Sequence, residues 1–160
     1  MIGMPQTATE RRLLSLYRHL FQHFGPQRWW PARSRFEVIV GAILTQNTAW
    51  ANVERAIAAM RGARLLNPRG IDAAPQEQLA RLIRPAGYYN MKAKRLKQFT
   101  RFLQTRYSGS VQRMCRTELP RLRPELLGIS GIGEETADSI LLYAGGRPIF
   151  VVDAYTRRVL

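Results

Sequence analysis

The sequence predicts an all-α protein, a compact bundle of many short helices. Two observations predict it. Apolar residues recur at helical spacing along nearly the whole chain, and proline and glycine cut that pattern into short runs. Only Ile149-Phe150-Val151-Val152 reads as extended, and it is too short and isolated for a sheet, so it is expected as buried connecting chain.

The elements follow in order. Leu13, Leu14, Leu16, Tyr17, Leu20, Phe21 and Phe24 mark one helix face, and Gly25-Pro26 stops that helix. Ser34-Arg35-Phe36-Glu37 has the form of a capping box opening a second helix to about Leu44. A third runs from about Ala49 to Met60 and ends at Gly62. Asn67-Pro68 and Ala74-Pro75 start two short helices, because proline suits a first helical turn. After a break at Pro85-Ala86-Gly87, Asn90 is expected to cap a long basic helix to about Tyr107, closed by Ser108-Gly109. Short helices are expected from Val111 to Gly128. There is no internal repeat, low-complexity tract or long linker.

Composition narrows the function. A hydrophobic content of 46% supports a real core and argues against disorder. The net charge of +14 comes from 25 cations against 11 acids, and only Lys92, Lys94 and Lys97 are lysines. Arginine is the better bidentate phosphate ligand, so a nucleic acid is the natural partner. No segment reads as a basic amphipathic membrane anchor. No stretch reaches ~18 apolar residues, and no signal-peptide core is present, so no membrane partner and a cytoplasmic location are expected. The single Cys115 excludes an internal disulfide framework and a four-cysteine metal or cluster site within these residues. It is expected as a small buried side chain.

The most informative segment is Glu125-Leu-Leu-Gly-Ile-Ser-Gly-Ile-Gly-Glu-Glu-Thr-Ala-Asp-Ser-Ile-Leu-Leu142, two helices joined by a tight turn at Ile129–Gly133. Gly131 and Gly133 are read as positions where a Cβ would obstruct the backbone or a ligand's approach. The N–H groups and dipole of the helix after Gly133 form an anion site suited to DNA phosphate, whatever the base sequence. Ile129 and Ile132 would anchor the hairpin.

This hairpin, with Phe36-Glu-Val-Ile-Val-Gly-Ala-Ile-Leu-Thr-Gln-Asn47, Gly87-Tyr-Tyr-Asn-Met-Lys-Ala-Lys94 and Val151-Val-Asp153, resembles the endonuclease III-like branch of the helix-hairpin-helix (HhH-GPD) DNA glycosylases. The resemblance covers about Arg28 to Leu160. It implies an all-α, two-lobed fold with duplex DNA across the cleft and a damaged base flipped into it. In those terms residues 1–27 are an N-terminal helix of the second lobe, and 28–160 are the helical core with the hairpin at 125–142. The rest of the second lobe would lie beyond residue 160, a C-terminal truncation. Some relatives carry a four-cysteine iron–sulfur motif there. No cofactor or metal is expected within this chain, and a cluster only in a longer form.

The resemblance makes Asp153 the catalytic carboxylate. Breaking an N-glycosidic bond builds positive charge on the sugar, which a carboxylate stabilises. It can also orient or deprotonate water. Asp153 also suits an N-cap for a helix from Ala154, and both roles can hold. Bifunctional relatives carry a Schiff-base lysine where this chain has Glu135, and a carboxylate forms no imine. Glu135 is then either a second polar group of the cleft or a solvated helix residue. Gln46 matches a residue that enters the gap left by a flipped nucleotide, and Tyr88 matches a wedge position. Gly131, Gly133, Thr136, Arg157 and Arg158 complete the expected DNA contacts.

Trp29, Trp30 and Trp50 are candidates for the base pocket. Stacking and cation–π attraction would favour a cationic N-alkylated purine, which leaves without protonation. Trp-Trp-Pro, the aromatic after Thr-Gln-Asn-Thr, and Glu135 resemble the 3-methyladenine glycosylases of endonuclease III type. The expected activity is therefore monofunctional hydrolysis releasing an alkylated purine from double-stranded DNA by a monomer. The alternatives are an endonuclease III-like oxidised-pyrimidine glycosylase with lyase activity, and a non-catalytic helix-hairpin-helix DNA-binding module. Lys92, Lys94, Arg95, Lys97 and Arg101 are expected on a solvated face. His19 and His23 lack a third metal ligand and are read as surface or packing residues.

Overall fold

The computed structural model describes residues 7–27 and 30–160. Ten α-helices and no strand occur among them. The helices are α1 (Ala8–Phe24), α2 (Arg35–Leu44), α3 (Trp50–Gly62), α4 (Pro68–Ala73), α5 (Gln76–Leu82), α6 (Tyr89–Tyr107), α7 (Val111–Arg116), α8 (Leu119–Leu127), α9 (Glu134–Ser139) and α10 (Thr156–Val159). A 3₁₀ turn at Arg84–Ala86 precedes α6, and a π-wound segment, Ile140–Ala144, continues α9. No helix among the described residues is long and apolar enough to cross a membrane.

The chain divides into a first unit ending at Pro31 and a second from Ala32 to Leu160. The first contains α1. Its start is a full capping box: Thr7 Oγ1 accepts from Glu10 N at 3.2 Å, and Glu10 Oε2 accepts from Thr7 N at 2.7 Å. Gly25, at φ 66°, ends it.

The second unit is built around α2. Phe36 through Leu44 are all buried, as an all-round apolar helix requires. It packs on α3, α6, α9 and the π-wound segment. The capping box expected at its start forms only by half. Ser34 Oγ accepts from Glu37 N at 3.2 Å, but the Glu37 carboxylate is buried and accepts from Arg61 Nη2 at 2.7 Å. A buried carboxylate needs a cationic partner more than the helix end needs a second cap.

Two further expectations are corrected. Asn90 lies inside α6; the N-cap is Tyr88, in the left-handed region at φ 43°, and it makes no side-chain cap bond. The break at Gly87 delivers the chain to the helix through that residue. Ile149–Val152 is irregular but not buried. Ile149 and Val151 are half-buried, whereas Phe150 and Val152 are exposed at 67% and 41%. The period-two alternation of extended chain turns every second side chain outward.

Candidate nucleic-acid interface and catalytic carboxylate

The hairpin is fixed by ion pairs at its base. Arg123 of α8 grips the buried Asp138 of α9 through two bonds, at 2.8 and 3.1 Å. Glu125 accepts from the Tyr107 hydroxyl, from Arg106 at 2.6 Å and from Arg121 at 3.2 Å, tying α8 to the end of α6. The Tyr107 bond, then the two arginines, outweigh partial burial and hold the Glu125 carboxyl down to about 2. Ile129 and Ile132 are buried beneath the turn as expected.

The two glycines differ. Gly131 sits at φ +88°, and a Cβ there would fall 2.7 Å from Cγ and Cδ of Arg95. Gly133 has an ordinary extended backbone, φ −90° and ψ −178°, with open space where its Cβ would be. The backbone therefore does not demand glycine at 133, contrary to the sequence expectation. The α9 ladder begins with Ala137 N donating to Gly133 O at 2.9 Å, so the N–H groups before it lie outside the ladder. Glu134 and Glu135 occupy that exposed first turn. Glu135 is thus a surface residue of the turn, while Glu134 lies 3.6 Å from Arg123.

Gln46, after α2, reaches this turn. Its Nε2 donates to Gly131 O at 3.0 Å and to Thr136 Oγ1 at 2.9 Å, and its Oε1 accepts from Arg95 Nη1. The structure thus brings together Gln46, Gly131 and Thr136, and adds Arg95. Arg95 belongs to the run expected on a solvated face, and that expectation fails for three of its five members. Lys92 is 1% exposed, its Nζ donating to Leu44 O at 2.8 Å and Ala86 O at 2.7 Å. Burial, then the neighbouring Arg95 charge, pushes Lys92 down to about 8. Lys97 is half-buried and donates to Asp72 O at 2.9 Å. Only Lys94 and Arg101 are exposed. A signal for Lys92 was present: it falls in phase with Leu96, Phe99 and Leu103 on the buried face of α6.

Asp153 is half-buried at the approach to α10. Its Oδ1 accepts from both the N–H and the hydroxyl of Thr156, each at 2.7 Å. Burial pushes the carboxyl up, but the Thr156 bonds and backbone N–H groups outweigh it and hold Asp153 below the usual carboxylate range. The helix starts at Thr156 with Tyr155 at its N-cap rather than at Ala154, so Asp153 ties down the turn that leads into it, and the same bonds favour the ionised carboxylate. Burial, then the Asp153 charge, raises the Tyr143 phenol, so Tyr143 belongs to the same electrostatic neighbourhood. Sequence reading missed Tyr143, which looks like one more residue of a hydrophobic helix.

The remaining candidates lie on separate segments of the chain. Tyr88 is 65% exposed, in a backbone region that bulky residues rarely occupy. Trp50 is half-buried at the start of α3, Trp30 lies in the first unit, and Trp29 lies outside the described residues. Arg157 and Arg158 are exposed on α10, with Arg158 stacked 4.8 Å over the Tyr155 ring. His19 and His23 are exposed on α1, and Cys115 is a buried free thiol. Among the described residues no group of three or more His, Cys, Asp or Glu could hold a metal ion.

The model of the HhH-GPD superfamily base excision DNA repair proteins matches residues 40–160, which include Gln46, the hairpin and Asp153. The chain belongs to the HhH-GPD superfamily. The Methanocaldococcus jannaschii protein MJ1434, provisionally named a DNA repair glycosylase, is 52% identical over 149 residues, 92% of this chain and 67% of that protein. The solved Helicobacter pylori 3-methyladenine DNA glycosylase, bound to 1,N6-ethenoadenine, superposes with a TM-score of 0.77 at 32% identity, covering 91% of this chain and 68% of that one. A non-covalent endonuclease III–DNA complex gives 0.72 at 27% identity, covering 98% and 68%. This HhH-GPD chain thus spans about two-thirds of the length of each.

Proposed function

We propose that this HhH-GPD chain is the DNA-reading and catalytic core of a monofunctional glycosylase that releases an alkylated purine such as 3-methyladenine. The observation that carries the reading is that the chain keeps an ionised Asp153 after the hairpin while Glu135, not a lysine, stands at the Schiff-base position. The turn at Gly131–Gly133 holds a backbone phosphate on its N–H groups, and Tyr88 opens the duplex. The flipped base stacks on aromatic faces, Trp50 first among them. Asp153 then stabilises the sugar cation as the glycosidic bond lengthens. Its depressed pKa makes it a weak base, so charge stabilisation outweighs proton abstraction in its role. A cationic alkylated base leaves without a general acid, which fits a site with one such carboxylate. The similarity to a 3-methyladenine glycosylase supports the substrate class.

The test is base release from duplexes carrying 3-methyladenine, ethenoadenine, oxidised pyrimidines or mismatched thymine, with parallel borohydride trapping. Release of the alkylated purines with no trapped adduct is expected. Selective release of oxidised pyrimidine, or a covalent protein–DNA adduct, overturns the reading.

A further inference from the structure

We infer that Arg95 is a positioning residue that keeps Gln46 stowed on the hairpin turn until a DNA phosphate draws Arg95 away. The inference rests on the proposed entry of Gln46 into the gap left by a flipped nucleotide. A primary amide has two N–H donors, and both donors of Gln46 are already spent, on Gly131 O and Thr136 Oγ1. Its oxygen is held by the Arg95 guanidinium. Gln46 in this state has no donor left for a base edge, so entry into the duplex requires the cluster to open.

The same guanidinium arm supplies the trigger. The Arg95 side chain lies across Gly131, in the space a Cβ would occupy. It therefore lies over the Gly131 end of the turn, beside the open Gly133 end where a phosphate would arrive. A guanidinium–phosphate pair is doubly charge-assisted and bidentate, whereas the bond to the Gln46 amide joins one charge to a neutral oxygen. A phosphate arriving at the turn outcompetes Gln46 for Arg95. Loss of its charged partner leaves Gln46 on two neutral bonds, which a base edge can replace. Grip on the backbone and release of the gap-filling residue thus become one event. Gly131 is required twice, for its positive φ and for the passage of Arg95.

The test is a double-mutant cycle on equilibrium binding to a duplex with a tetrahydrofuran abasic site, using wild type, Arg95→Met, Gln46→Ala and the double variant. In the wild type Arg95 must leave Gln46 before it reaches phosphate. Arg95→Met is therefore expected to weaken binding about threefold in the wild type and about tenfold in the Gln46→Ala background. It should also flatten the slope of log affinity against log salt by about 0.9 in both backgrounds. Equal losses in both backgrounds overturn the inference, as does an unchanged salt slope. A second readout needs no variant: both Gln46 side-chain amide protons are hydrogen-bonded in the free protein, and their exchange is expected to speed up on titration with the abasic duplex. Signals unmoved by duplex overturn the inference even where Arg95→Met fails to fold. Wild-type protein that binds the abasic duplex no tighter than intact duplex contradicts the proposed function instead, and the amide titration still decides whether DNA opens the cluster.

Discussion

Glu125 illustrates how single residues set the behaviour of this molecule. Its carboxylate gathers Tyr107, Arg106 and Arg121, and so fastens α8, the first helix of the hairpin, to α6. Its folded value of about 2 lies below its ordinary value of 4.5. A depressed carboxylate contributes stability that is fully present above the unfolded value and is lost as pH falls through the folded one. Glu125→Gln is therefore expected to destabilise the protein by about 2 kcal/mol at neutral pH. In denaturant titrations across pH, that difference should shrink below pH 4.5 and close near pH 2. Parallel stability curves for the two proteins would remove Glu125 as the fastening. Lys92 works in the opposite sense, as a buried ammonium satisfied by two carbonyls. Its donors link the end of α2 to the 3₁₀ turn, the segments that lead into Gln46 and Tyr88. Residue type alone suggests a solvated face there, and the helical phase that Lys92 shares with Leu96, Phe99 and Leu103 overrides it. Arg95 was not legible at all: its partners lie 49 and 36 positions away, on Gln46 and Gly131, and no local pattern encodes such a contact.

At the scale of elements, the hairpin was the most legible part of the chain. Its glycines, flanking isoleucines and following helix are encoded within a few consecutive residues, so local chemistry suffices. The structure separates the two glycines that the sequence treats alike. Gly131→Ala meets both a positive φ and the Arg95 side chain, and is expected to cost about 1–3 kcal/mol of stability. Gly133→Ala meets neither, and its melting temperature should stay close to wild type. Its new methyl group would instead stand on the open turn and weaken binding to intact duplex about tenfold. Calorimetry and binding isotherms on the pair check this split. A Gly133→Ala protein with unimpaired binding would displace the phosphate from the turn. The elements misread from sequence share another cause. Asn90 and Glu37 are competent cap residues by type. Tertiary demands decided otherwise: the turn out of Gly87 placed Tyr88 at the cap, and Arg61 claimed the Glu37 carboxylate.

Across the whole molecule, the all-α class and the family were readable from four short blocks, Phe36–Asn47, Gly87–Lys94, the hairpin and Val151–Asp153. Phe36–Asn47 and the hairpin carry buried apolar positions at helical spacing, whereas Gly87–Lys94 and Val151–Asp153 are legible by residue type and order alone. The catalytic assignment stands on a different footing, because a carboxylate after the hairpin serves equally well as a cap. The two roles are compatible: Thr156 anchors one oxygen of Asp153, and in the proposed reaction the retained charge would face a developing sugar cation. A net charge of +14 favours a polyanionic partner, and in the proposed mechanism Asp153 supplies the negative charge that the reaction requires. The most direct test is single-turnover release of 3-methyladenine by wild type and Asp153→Asn. Asparagine preserves the cap while removing the charge. Release is predicted to slow by about 10²-fold or more at unchanged stability and DNA affinity. Equal rates for the two proteins would contradict the assignment of Asp153 as the catalytic carboxylate.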